Sequence, residues 1–270
     1  MLVEVEICNY TKNMIEKVKP TPWKFVFYIL YSSPKELWQI IWGQKIEPLN
    51  DARIFQLIQS GYSFVRWGDG ETAIARGKFA WYQKFDTQLQ NSLLSLLHTP
   101  PENTIFGIPW AVHAKPNDAR WNIRIFKIIF STRVFIIKNL KNSAAKKIHF
   151  STQDFWWRNS GNLRKILTQL LENKNCILVA STEKYLSFCP PNTRFIQIPS
   201  TNAYSDYTKI VSAIDLAIKN FPHRPVILGA IGPTTKALVS DFQNRCQVLD
   251  IGHGFNFALN GNNVWAWSKQ

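Results

Sequence analysis

The apolar positions along the chain change period several times, and those changes mark its elements. In residues 51–60 the apolar side chains Ile54, Leu57 and Ile58 recur at three- and one-residue steps, which predicts a helix with one buried face, stopped by Gly61. Residues 63–67 (Ser-Phe-Val-Arg-Trp) predict a strand, Gly68-Asp69-Gly70 a turn, and 71–76 a short helix. An amphipathic helix is expected over 86–97 and a second strand over 104–108. Residues 134–137 (Val-Phe-Ile-Ile) fit either a strand or the tail of a helix, and 163–172 a helix.

Three strand-then-helix units follow. Their strands fall at 176–180, 195–198 and 226–230, and their helices open at Glu183, Asp206 and after Pro233. A last strand, 247–251, ends at Gly252-His253-Gly254. Short apolar strands alternating with helices predict an α/β fold with a mostly parallel, doubly wound sheet. Ligands of such sheets bind beyond the carboxyl ends of the strands.

Upstream the pattern differs. Residues 23–31 are strongly apolar but too few to span a bilayer, and 36–42 continue as an apolar-rich helix after Pro34. Residues 1–48 therefore read as an N-terminal helical extension, packed as a cap or lying on a membrane surface, and 49–270 as the main domain.

Composition adds a few bounds. Hydrophobic residues make up 46% of the chain and charged ones 19%, which excludes a disordered protein. Cys8, Cys176, Cys189 and Cys246 form no C-x-x-C pair, so buried thiols in a reducing cytoplasm are expected. The N-terminus lacks a basic start followed by an apolar run, which agrees with a cytoplasmic location. The net charge is +14, and residues 102–176 hold thirteen Lys/Arg against four Asp/Glu. Such a surface attracts polyanions: phosphorylated substrates, anionic lipid at the inner face of a membrane, or less readily nucleic acid. Lys138, Lys141, Lys146 and Lys147 form its densest run.

The candidate chemistry falls at strand ends. Asp69 and Glu71, two residues apart in a Gly68/Gly70 turn, can both reach one hard cation. Arg66 can bond a phosphate. Gly232-Pro233-Thr234 opens a helix whose N-terminus suits an anion, without the spacing of a Walker A loop or of a G-x-G-x-x-G dinucleotide fingerprint. Asp250 and His253 close the last strand, and Asn202 follows the 195–198 strand, where it can read a base or ribose.

In order and spacing these segments resemble the GT-D-type glycosyltransferases. Residues 63–71 are similar to that family's V-R-[FW]-G-D-G-E metal motif, and Tyr82-Gln83 with Asp86 and Leu89 to its Y/F-Q-x-x-D-x-x-L stretch. Residues 106–109 resemble its G-I-P, 198–204 its P-x-x-N-A-[FY], 229–234 its L-G-P-T turn, and 249–253 its I-D-I-G-H ending. The resemblance implies a Rossmann-like fold, a UDP-sugar donor, and Mn²⁺ or Mg²⁺ held by Asp69 and Glu71. It implies that Arg66, Gly68, Gly70, Asn202, Gly232, Thr234 and Asp250 line the donor pocket, with His253 beside the reaction. A glycan, a lipid-linked glycan or a glycoprotein is the expected acceptor. One departure stands out: Gly254-Phe255-Asn256-Phe257-Ala258 has no carboxylate where the family often continues with acidic residues. Two other classes share parts of this pattern, a phosphoryl-transfer enzyme or phosphohydrolase using the same metal, and a non-enzymatic basic module for membrane or nucleic acid.

Overall fold

The computed structural model describes residues 48–109, 131–140 except 133 and 137, and 148–260. The helical extension, Cys8 and the lysines at 141, 146 and 147 lie outside the described residues.

Seven strands form one sheet in which every pairing is parallel. They are β1 (Ser63–Arg66), β2 (Thr104–Ile108), β3 (His149–Thr152), β4 (Cys176–Ala180), β5 (Arg194–Gln197), β6 (Val226–Ala230) and β7 (Gln247–Asp250). Their order across the sheet is β3-β2-β1-β7-β6-β4-β5. The chain thus begins in the middle, runs out to one edge, and returns from the other side to place β7 against β1. The junction of β1 with β7 is where strand order reverses, the usual place for a ligand crevice.

Helices cover both faces, as alternating strand side chains require. Val65, Phe106, Ile177, Ile227 and Val248 point to one face. There they meet α3 (Thr87–His98), α6 (Tyr207–Ile218) and α7 (Thr234–Phe242). Phe64, Ile105, Leu178, Leu228 and Leu249 point to the other. Those pack on α1 (Asp51–Gln59), α4 (Phe155–Arg158), α5 (Leu163–Leu170) and α8 (His253–Asn260). Asn50 caps α1 by accepting from the Arg53 N–H, and Asp86 caps α3 by accepting from the N–H groups of Gln88 and Leu89.

Of the two alternatives for residues 134–137, the structure shows helix at 134–136. Other elements depart from the sequence pattern. β3, α4 and α8 carry too few apolar residues at a fixed period to be read from the sequence. The helix after β1, α2 (Asp69–Ala75), starts two residues early, with Gly68 as its N-cap. Asp69 and Glu71 therefore sit in a helical first turn, about 100° apart per residue, rather than on an extended turn.

Candidate active site

Because the sheet is wholly parallel, the carboxyl ends of β1, β7 and β6 lie side by side, and the predicted residues come together there. The centre of the arrangement is Lys236, the third residue of α7, only 1% exposed. Its Nζ donates to Glu71 Oε1 at 2.7 Å, to Asp250 Oδ2 at 2.6 Å and to the Gly232 carbonyl at 3.3 Å. Three donors meet three acceptors, one from each of the three strand ends. Sequence reading missed this lysine, because a single Lys in a helix ordinarily points to water.

Glu71 is fully committed. Its other oxygen accepts the Gly68 N–H at 3.0 Å, closing the N-terminal turn of α2. Burial pushes its pKa up, but Lys236, with help from Arg66, pulls it further down, so it stays ionised. Asp69 is the opposite case: it is exposed, and crowding by the protein and the Glu71 charge both push its pKa up. Asp69 is thus the less compensated carboxylate of the pair.

Arg66 ties β1 to β7. Its backbone N–H donates to Asp250 Oδ2 at 3.1 Å and its guanidinium to the Ile251 carbonyl at 3.4 Å. A Cβ at Gly252 would lie 2.5 Å from that guanidinium, so the close approach needs glycine, which also sits at φ +50°. The guanidinium stacks over Trp157, 5.4 Å from the ring centre, while its buried Nε has no partner among the described residues. His253, at the start of α8, meets Trp157 edge-on. Crowding and then the Arg66 charge lower its pKa to about 4, against a smaller opposing effect of Glu71, so its imidazole is neutral at neutral pH.

The Gly232 turn is tighter than expected. Gly232 takes φ +57°, and the N–H groups of Thr235 and Lys236 are spent on the carbonyls of Gly232 and Pro233. The start of α7 therefore offers its dipole more than a row of free donors. The buried Thr234 and Thr235 hydroxyls have no partner among the described residues, and Thr234 does not cap its helix.

Asn202, beyond β5, is placed differently. It adopts a left-handed conformation at φ 53°, donates its N–H to the Tyr82 carbonyl and accepts the Lys84 N–H on Oδ1 at 2.7 Å. It clamps the 80–84 turn. That turn sends Tyr82 inward to the site: its hydroxyl packs on Gly70, where a Cβ would clash, and its ring lies 2.9 Å from where a Gly232 Cβ would be. Burial and the charges of Glu71 and Asp69 hold the Tyr82 phenol well above its ordinary pKa.

A separate groove of about 620 Å³, lined by Asn162, Arg164, Lys165, Thr168, Phe188 and Ala258, contains none of these residues. Among the described residues no cluster of three His, Cys, Asp or Glu side chains could hold a metal.

A family model described as glycosyltransferase GT-D fold matches residues 64–256, from β1 into α8. This chain belongs to the GT-D glycosyltransferase family. The match runs from just before Arg66 to just past His253. A relative from Streptococcus gordonii, described as a probable glycosyl transferase Gly, is 24% identical over 230 residues. That alignment takes in 75% of this chain and 31% of the relative, so the chain spans about a third of that protein. Among solved structures, a glycosyltransferase (DUF1792) from Streptococcus sanguinis is similar at a TM-score of 0.60 and 23% identity. The superposition covers 83% of this chain and 86% of that one. Another, described as a highly conserved domain with a distinct glycosyltransferase fold, gives 0.57 at 22% identity, covering 83% of each chain. These likenesses establish the fold. No helix among the described residues is long and apolar enough to cross a membrane.

Proposed function

We propose that the chain transfers a sugar from a nucleotide-diphosphate donor, a UDP-sugar, to a hydroxyl of a glycan, a lipid-linked glycan or a glycoprotein. The supporting observation is that Asp69, whose pKa is raised by crowding and by the Glu71 charge, and Arg66, whose buried Nε has no partner among the described residues, both stand at the carboxyl end of β1. Carboxylate and guanidinium are what a cation-bridged diphosphate requires of a protein.

The donor set fits Mn²⁺ or Mg²⁺. Such ions take one or two protein carboxylates and complete their shell with water and substrate phosphate, so a three-residue protein cluster is not needed. Asp69 would be the direct ligand, with Glu71 beside it, held ionised by Lys236. When bound, the ion would stabilise negative charge on the diphosphate leaving group. Arg66 is the partner for a phosphate oxygen, and Gly68 and Gly70 keep the backbone near Asp69 free of side chains. Asp250 fixes Arg66 through its backbone and Lys236 through its ammonium. His253, neutral at pH 7, is available to accept a proton. Thr234 and Gly232 line the diphosphate side, and Asn202 acts by holding the Tyr82 turn.

Incubation with a panel of UDP-sugars and Mn²⁺ tests the reading. UDP should be released, faster with acceptor, and release should stop with a chelator. Release of inorganic phosphate without UDP would assign the site to phosphate hydrolysis instead.

A further inference from the structure

Five large hydrophobic side chains are exposed among the described residues, and the three aromatic ones all belong to one loop: Phe79 and Trp81, each 74% exposed, and Phe85, 41% exposed. The loop is not slack. Ala80 and Gln83 exchange both backbone hydrogen bonds, at 2.9 and 3.0 Å, so Trp81 and Tyr82 form the corner of a tight turn. Asn202 clamps that turn at the Tyr82 carbonyl and the Lys84 N–H, and Gln83 Oε1 accepts the Tyr204 N–H. Tyr82 points in, against Gly70 and Gly232. Trp81 points out, its ring perpendicular to that of Tyr82 with centres 5.0 Å apart. One aromatic ring therefore separates the exposed indole from the carboxylate site.

Apolar surface held rigid and exposed beside a reaction centre marks a binding surface. We infer that Phe79 and Trp81 form the acceptor subsite, on which a pyranose ring of a glycan acceptor stacks its C–H face. This rests on the glycosyl-transfer reading, which needs a second sugar within reach of the donor. A pyranose presents an apolar face and a hydroxyl rim. An indole supplies the matching apolar face, and the exposed Lys78 and Lys84 of the same loop supply polar groups. The turn is fixed before binding, so little ordering cost opposes the contact.

The test is saturation-transfer NMR on the full chain with free disaccharides ending in glucose, galactose or N-acetylglucosamine. Wild type, Trp81→Ala, Trp81→Phe and Phe79→Ala are compared, with calorimetry of UDP plus Mn²⁺ on each. The subsite predicts transfer to ring C–H protons in the wild type, weakened about tenfold or more in Trp81→Ala and largely kept in Trp81→Phe. UDP binding should be the same in all four. Absence of transfer from every disaccharide, or equal binding by Trp81→Ala and wild type, overturns the inference. So does a wild type that ignores sugars but binds anionic phosphatidylglycerol vesicles through Trp81, which assigns the face to a lipid surface. Trp81-dependent sugar binding without UDP binding in the wild type would leave the subsite standing and sink the donor reading.

Discussion

A buried lysine between two carboxylates decides what each charged residue of the site can do. Lys236 neutralises Glu71 and Asp250 and leaves Asp69 to face outward. Removing one member of such a network strands the others, at a cost of about 3–5 kcal/mol. Lys236→Met should therefore be strongly destabilised in denaturant unfolding, and adding Glu71→Gln and Asp250→Asn should restore much of the loss. The pH dependence has a definite sign. In the wild type Glu71 is held below its ordinary 4.5, so its contribution is present above that pH and fades as pH falls. In Lys236→Met the largest effect opposing burial is gone and the Glu71 pKa rises, so the deficit should be larger at pH 7 than at pH 4. An equal deficit at both would refute the assignment of Lys236 as Glu71's counter-ion. Asp69 has the reverse sign: its raised pKa makes the ionised form a burden on folding at neutral pH. Asp69→Asn should raise the thermal midpoint while weakening function, a trade common at sites built for a ligand. Asp69, Glu71, Arg66 and Asp250 were legible in the sequence because they cluster at strand ends. Lys236 was not, since its partners lie 165 and 14 residues away and nothing local marks the ammonium as buried.

At the scale of elements, the turns after β1 and β6 are shaped around Tyr82. An alanine at Gly70 would collide with the Tyr82 hydroxyl, although Gly70 lies in a helix where alanine is otherwise preferred. Gly70→Ala should thus lose stability, and Tyr82→Phe in the same chain should recover part of it. Unchanged stability in Gly70→Ala would show that Tyr82 does not pack there. Gly232→Ala adds a positive-φ penalty to its own clash and should cost about 1 kcal/mol or more by chemical denaturation. Six of the eight helices α1–α8 and six of the seven strands were readable from period and breakers. β3, His-Phe-Ser-Thr, was not, because its one large apolar residue gives no pattern. α8 opens with His-Gly, a pair that reads as a loop, and is made helical by Phe255 docking under Tyr185 and Phe188. The register of α2 also escaped the sequence. Glycine at 68 and 70 argued for a turn, but the Glu71 carboxylate returning to the Gly68 N–H starts the helix at Asp69.

At the scale of the whole molecule, strand order does the assembling. Outward growth from β1 and return to β7 bring residues 66–71, Gly232, Lys236 and Asp250 to one edge of a sheet whose pairings among the described residues are all parallel. The central claim is that this edge binds a nucleoside diphosphate through a divalent cation held at Asp69. Calorimetry of UDP binding, with and without Mn²⁺, on wild type and Asp69→Asn tests it most directly. The account predicts binding by the wild type that needs Mn²⁺, and none by a folded Asp69→Asn. Equal UDP affinity of the two proteins in the presence of Mn²⁺ would contradict it.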